Sequence, residues 1–407
     1  MDLEDVRREF PVTEVSAYLE SAYHGPFPTS GACAISNYVD RWSRYPYPDG
    51  RVDEWLQWVE QVRKKVADLM QVTPQEIVFT RSTTDGLHLI ANSLLKPGDG
   101  ILVGGLDHPA NYITWGYLAD RGIDVTIVPH RDGGMAIEDL AAAIGPKTRA
   151  IGLCLVNTYN GYRENLSDLS HLCAEHGLHL LLDGIKALGH LHVDLVSNHV
   201  AALSAGVYKF LCSPEGLGIT YVNRAILQDV TPRTPHLYRV EPREDPNWGH
   251  FTSRIHCWGN EGVGPQALKP GSLRYPLEAK GLETSTNFLA LAGLEAMVDL
   301  LIAFGGMVSV ENRVLDLSTY LCATVQDRGH RVLSSRDPQH VSGTTLVAVP
   351  HAEKFVSYCE ERGVFVRPGK SLIGNEDAVR VSPHIFNNVE DINRFAEAMD
   401  KFQLSNA

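Results

Sequence analysis

The feature that most constrains this chain is an alternation of short apolar runs with amphipathic helical stretches between residues 55 and 222. Trp55, Val59, Val62, Val66 and Leu69 recur at helical spacing, and that pattern stops at Thr73-Pro74. Ile77–Thr80 reads as a short strand running into Ser82-Thr83-Thr84, then a helix with Leu87, Ile90, Ala91, Leu94 and Leu95 on one face. Further apolar runs fall at 101–103, 123–128, 150–156, 178–182, 200–204 and 217–222, mostly separated by helical segments. The alternation predicts an α/β fold, a largely parallel sheet wrapped by helices.

Composition narrows the function classes. Of 407 residues, 44% are apolar and 21% charged, which excludes wholesale disorder. The 49 acidic residues outnumber 36 basic ones, for a net charge of −13. Such a balance argues against nucleic-acid and anionic-membrane partners, while local potential still permits a small anionic ligand. No uninterrupted apolar run reaches the roughly 18 residues of a transmembrane helix. The opening Met1-Asp2-Leu3-Glu4-Asp5 is acidic and unlike a secretory leader. Seven cysteines, at 33, 154, 173, 212, 257, 322 and 359, are scattered singly. They read as free thiols in a reducing compartment, so a cytoplasmic enzyme is expected.

Periodicity fades over 229–285, which carries His236, Trp248, His250, Trp258 and Arg274. This stretch reads equally as the lining of a substrate mouth or as a surface excursion. A long helical segment follows Thr286, and from about 331 strand and helix return at 345–349, 353–361, 364–367, 378–382 and 390–402. The expected organisation is an N-terminal arm over 1–15 packing on the small domain, a large domain over 16–286, and a small α/β domain over 287–407.

Four places carry chemistry. Asp183 ends the apolar run Leu180-Leu181-Leu182, where a carboxylate is costly unless partnered. Strand ends often hold a capping Asp, but they are also where open α/β sheets bind ligands, and a cationic ring nitrogen would satisfy the acid. Lys209, between Tyr208 and Phe210, is either a snorkelling lysine or a desolvated, nucleophilic amine. Ser82-Thr83-Thr84-Asp85-Gly86 joins a strand to a helix, as an N-cap or as an anion site. His108, in Asp107-His108-Pro109-Ala110-Asn111, is placed to stack on a flat cofactor if it is not structural.

Together these residues resemble the class V aminotransferase and cysteine desulfurase superfamily, including its isopenicillin N epimerase-like members, which are fold type I enzymes using pyridoxal 5′-phosphate. Tyr18–Ala22 with His24-Gly25-Pro26 looks like the family's opening, Leu182–His190 like its acidic strand, and Arg380-Val381-Ser382 with Phe386-Asn387-Asn388 like its C-terminal arginine block. The resemblance implies a large domain with a mostly parallel seven-stranded sheet, and a homodimer. It implies that Lys209 forms the imine with the cofactor and later moves the Cα proton, and that Asp183 keeps the pyridine nitrogen protonated. His108 would stack on the ring. Ser82, Thr83 and Thr84 would contact the phosphate, with Thr158, Lys186 and Tyr208 completing the cofactor pocket and Thr286 reaching in from the second subunit. His24 and Arg380 would bind an amino-acid substrate, Arg380 through its α-carboxylate.

Departures refine this. Lys186 stands where the family usually has Gln, Tyr208 where it commonly has His, and Gly206 where it has Ser. Lys186 either alters the cofactor's electrostatics, handles protons, or turns away. Val366-Arg367-Pro368-Gly369 is followed by Lys370-Ser371-Leu372-Ile373-Gly374 with no cysteine, so a persulfide-forming desulfurase is not expected. Gly369-Lys370-Ser371 lacks the upstream glycine of a P-loop, and His190-Leu191-His192 has no third ligand at a defined spacing, so no metal is expected. The expectation is a lyase acting on an amino acid with a side-chain leaving group, such as a cysteine S-conjugate. Transamination or epimerisation is the alternative, followed by a non-catalytic scaffold.

Overall fold

A computed structural model describes residues 1–44, 51–230, 241–242, 273–274, 278–283, 286–371 and 375–406. Most of the 229–285 excursion therefore lies outside the described residues, as do Cys257 and the aromatic and histidine side chains noted there. Two short N-terminal helices, α1 (Leu3–Glu9) and α2 (Val12–Val15), precede strand β1 (Ala17–Tyr18) and helices α3 (Thr29–Arg44) and α4 (Arg51–Met70). The alternation then appears as predicted: β2 (Ile77–Thr80), α5 (Thr83–Leu94), β3 (Gly100–Gly104), α6 (Pro109–Ala119), β4 (Asp124–Val128), α7 (Ile137–Ala143), β5 (Thr148–Cys154), α8 (Leu166–His176), β6 (His179–Asp183), β7 (Ala202–Gly206) and β8 (Gly218–Val222).

These seven strands, β2 to β8, form one sheet in the order β2-β8-β7-β6-β5-β3-β4. All pairs are parallel except the two made by β8, which runs antiparallel to β7 and β2. The parallel strands β3, β5, β6 and β7 read as unbroken apolar runs because helices cover both faces, and nearly every residue in them is buried. Helix α5 lies so close on β7 and β8 that a Cβ at Gly86 would come within 2.1 Å of Thr220 Oγ1 and 2.2 Å of Ser204 Oγ. Only glycine permits that approach, and it brings the start of α5 to the end of β7.

A short antiparallel pair joins β9 (Glu241–Pro242) to β10 (Leu273–Arg274). Helices α9 (Phe288–Ala303) and α10 (Gly306–Asp327) then lead to β11 (Thr345–Ala348), α11 (Ala352–Glu360), β12 (Val364–Phe365), β13 (Arg367–Lys370), β14 (Asp377–Val381) and α12 (Val389–Asn406). Strands β11, β14 and β13 make a three-stranded antiparallel sheet. Its core gathers Leu317, Leu321, Val347, Phe355, Val379, Ile392 and Phe395.

Core packing crosses the expected boundaries. Ala290, Leu294, Met297, Val298 and Val314, together with Ile385 and Phe386, pack in the same core as the central sheet. At the other end, Ala17 and Leu19 join the small core and β1 pairs with β12, although 16–286 was expected to be one domain. In the arm, Arg7 pairs with Asp391 at 2.8 Å and Phe10 meets Phe386 at a tilt with centroids 4.4 Å apart, while Val6, Phe10 and Phe386 all join the large core. No single described helix is long and apolar enough to cross a membrane.

Candidate active site

The strand ends position the cluster. β5 and β6 terminate in register at Cys154 and Asp183, and β7 ends at Gly206, three residues before Lys209. Asp183 is 5% exposed and Lys209 7%. Asp183 Oδ1 accepts the Ile185 amide at 2.9 Å, while its Oδ2 meets only the Cys154 thiol at 3.7 Å. Neither Asp183 nor Lys209 forms an ion pair among the described residues. Burial pushes the Lys209 amine down to about 8, with Asp183 holding against it and Arg380 adding to the fall. A buried acid and a buried amine, both short of partners, leave room for a group that pairs with each.

The backbone at Lys209 is clamped. Gly25 donates its amide to Tyr208 O at 2.8 Å, and a Cβ on Gly25 would stand 2.0 Å from Lys209 O. Phe210 O accepts from His384 Nε2 at 2.7 Å, and the Phe210 ring lies 3.8 Å from that of His190. His190 is thus wholly buried against an aromatic ring, whereas His192 bonds Gln71 at 3.2 Å. Lys209 Nζ stands over the Tyr208 ring at 5.7 Å, and His24 lies 5.9 Å from the same ring.

Ser82 is the N-cap of α5, its Oγ accepting the Asp85 amide at 3.1 Å. Thr83 Oγ1 accepts the amide of Gly206 at 2.8 Å, so at the position where a serine is usual the backbone itself is tied to α5. Thr84 stands on the same first turn, partly buried, where unpaired amides and the helix dipole favour an anion. His108 caps α6, its Nδ1 accepting the Ala110 amide at 3.2 Å. That bond places the ring hydrogen on Nε2. Burial lowers the imidazole's pKa, aided by Lys209, Lys186 and Arg380 and opposed by Asp183.

On the far side, the carbonyl of Thr158 accepts from Lys186 Nζ at 2.9 Å and from Arg380 Nη1 at 3.2 Å. Thr158 thus enters through its backbone. Arg380 projects from β14 with its Nε buried and unpartnered, and burial brings the guanidinium down to about 10 with Glu20 opposing. Thr286 immediately precedes Asn287, the N-cap of α9, and no hydrogen bond among the described residues joins it to the cluster.

Three contributors were missed. Asp107 Oδ1 accepts the Cys154 amide at 3.0 Å, its Oδ2 is buried without a partner, and burial pushes the acid up to about 7. Cys154 also accepts from Asn111 Nδ2 at 3.2 Å. Arg367 lies directly across from Arg380 on the paired strand, 3.7 Å over the Tyr23 ring. Asp107 precedes His108 and Cys154 closes an apolar strand, so position was the available signal for both.

A doubly covered, mostly parallel sheet with a lysine and an acid at its strand ends defines a fold type I enzyme frame. The class V aminotransferase family matches residues 50–237. An uncharacterized aminotransferase of Schizosaccharomyces pombe is 25% identical over 403 residues, spanning 97% of this chain and 94% of the relative. A cysteine desulfurase of Salmonella newport is 32% identical over 255 residues, 56% of this chain and 60% of the relative. A complex of the cystine C-S lyase C-DES with its product cysteine persulfide shares the fold, with a TM-score of 0.81, 23% identity, and coverage of 96% of this chain and 99% of that one. The chain is thus similar to the class V aminotransferases and cysteine desulfurases, a similarity that supports an enzyme with pyridoxal 5′-phosphate as its cofactor.

Proposed function

We propose that this enzyme removes a side-chain leaving group from an α-amino acid, with cysteine S-conjugates as substrates and the C–S bond as the one broken. The observation that carries the reading is the buried, unpaired couple of Lys209 and Asp183 at adjoining strand ends, with Arg380 facing it from β14. The cofactor, when bound, supplies an electron sink for the pair left at Cα. Asp183 holds a proton at the pyridine nitrogen, Lys209 Nζ binds the cofactor and then takes the Cα proton, and Arg380 orients the α-carboxylate. His108 Nε2–H is a donor for the departing sulfur.

Thiol placement favours lyase chemistry over desulfuration. Cys154, Cys173, Cys212, Cys322 and Cys359 are buried, and the segment after Val366-Arg367-Pro368-Gly369 contains no cysteine. Burial raises the thiols of Cys154, Cys212 and Cys359, against the thiolate a persulfide carrier needs. The C-S lyase among the similar folds supports the same choice. The assembly in this proposal is a homodimer, with Thr286 completing the neighbouring subunit's phosphate site. Incubating holoenzyme with S-methylcysteine tests the reaction: pyruvate, ammonia and methanethiol should form together. Amino transfer to an added keto acid, without those products, would overturn it.

A further inference from the structure

Lys186 and Arg380 approach the site from different parts of the fold, one from the turn after β6 and one from β14, yet both donate to the single carbonyl of Thr158. Lys186 is 3% exposed, and no carboxylate pairs with it among the described residues. A buried ammonium beside a guanidinium, sharing one neutral acceptor, is an unfavourable charge arrangement. The neutral amine keeps the hydrogen bond to Thr158 and removes the repulsion.

Resting on the amino-acid reading of the site, we propose that Lys186 accepts the proton of the incoming substrate's ammonium group, prompted by the α-carboxylate settling on Arg380. The amino acid arrives as a zwitterion, and its nitrogen must shed a proton before it can act as a nucleophile. The N–H bond of the ammonium breaks, leaving the electron pair on the substrate nitrogen, and a new N–H bond forms at Lys186 Nζ. Nothing is oxidised or reduced, and the proton is available for return when product leaves.

The surrounding charges give the step its timing. Burial, then Arg380 and Lys209, hold the Lys186 amine well below the usual lysine range, while Cys154 and Asp183 oppose them. His108 and His190, from the start of α6 and the turn after β6, also sense Lys186 and are themselves lowered towards the neutral state by burial. A carboxylate on Arg380 cancels the strongest of the neighbouring positive charges. Lys186 therefore becomes more basic as substrate docks, and by linkage its protonation tightens the carboxylate's hold.

Calorimetry on the holoenzyme at pH 7.5, in buffers of different ionisation enthalpy, tests this without relying on turnover. Methylthiopropionate carries the carboxylate of S-methylcysteine and lacks its amine. It should bind with uptake of close to one proton from buffer, and Lys186→Gln, which retains a donor for Thr158, should abolish the uptake. Lys186→Arg, a cation that does not give up its charge, should abolish it too, and serves if the glutamine variant folds poorly. In stopped-flow absorbance, Lys186→Gln should slow the spectral change with S-methylcysteine about 10–100-fold near neutral pH, with recovery above the substrate amine's own pKa. Binding of the carboxylate with no proton uptake in the wild type, or uptake that persists in both variants, would overturn the role. Failure of S-methylcysteine to release thiol, with proton uptake intact, would instead count against the lyase reading alone.

Discussion

The Cys154 thiol lies 3.7 Å from the Asp183 carboxylate because the two residues are register partners at the ends of adjacent parallel strands. A thiol is a weak donor, so it covers the acid without neutralising it. In the proposed function the Asp183 carboxylate is left for the cofactor.

Removing that charge should be far worse than removing the thiol. Asp183→Asn keeps shape and one hydrogen bond, but it cannot hold a ring nitrogen protonated. We expect at least about 100-fold loss in kcat, in line with the loss of a positioned proton-holding group. Cys154→Ala should stay within several-fold of wild type. Steady-state kinetics with cofactor-binding titrations of both variants check the contrast, and equal losses would mean that the acid's role is structural.

Lys209 predicts a pH-dependent stability. Its amine is brought down to about 8 from an ordinary 10.5, so between those limits the folded chain binds fewer protons than the unfolded one and stability rises with pH. Below pH 8 the penalty is fully present, at up to about 3 kcal/mol before relaxation and water penetration reduce it. Cofactor-free Lys209→Met should therefore melt higher than cofactor-free wild type at pH 7, the difference vanishing above about pH 10.5. A variant that melts lower at pH 7 would show that the amine is not held under strain.

Much of this was legible in the residues. Three leucines ending in an acid read as a strand end, and Lys209, left open between a snorkelling and a desolvated amine, is buried. The central sheet followed from apolar runs too short for helices. Boundaries were less legible, because α9 is apolar around nearly its whole circumference and sequence does not say which core it enters. The sharing of the Thr158 carbonyl was invisible for a related reason: a backbone oxygen carries no side-chain signal, and its two donors are 194 residues apart in position, at 186 and 380.

Gly25 should not tolerate a side chain. A Cβ there would meet Lys209 O at 2.0 Å and Cys212 Sγ at 2.7 Å, and the oxygen belongs to backbone that is clamped on its other side by His384. Gly25→Ala should displace Lys209 and lower cofactor occupancy at saturation by a large fraction, while the far-UV circular dichroism stays native. Full occupancy would show that the opening segment yields instead.

A buried pair secures the strand that leads into the Ser82-Thr83-Thr84 turn. Arg63 and Glu283 are each 1% exposed; Arg63 Nη2 donates to Glu283 Oε2 at 3.0 Å, and Glu283 Oε1 accepts the Phe79 amide of β2 at 2.8 Å. Glu283→Ala removes the buried partner and leaves the guanidinium only the Ile77 carbonyl and the more exposed Glu60, a loss that should cost up to about 3–5 kcal/mol. Replacing both partners, as Arg63→Met with Glu283→Met, should recover much of that loss. Urea melts of the single and double variants decide between a paired charge and mere packing.

Arg380 should govern substrate far more than cofactor. Its guanidinium remains protonated at neutral pH although burial brings it to about 10, and its Nε is buried without a partner. An α-carboxylate would supply the missing acceptor, and truncating one partner of such a pair costs about 2–5 kcal/mol. Arg380→Ala should raise the dissociation constant for S-methylcysteine accordingly while leaving cofactor affinity within a few-fold, both read by titration of the holoenzyme and cofactor-free protein. Arg380→Lys should recover only part of the loss, because a single ammonium lacks the planar fork. Undiminished substrate affinity in the alanine variant would move the carboxylate to Arg367, the residue directly across the strand pair.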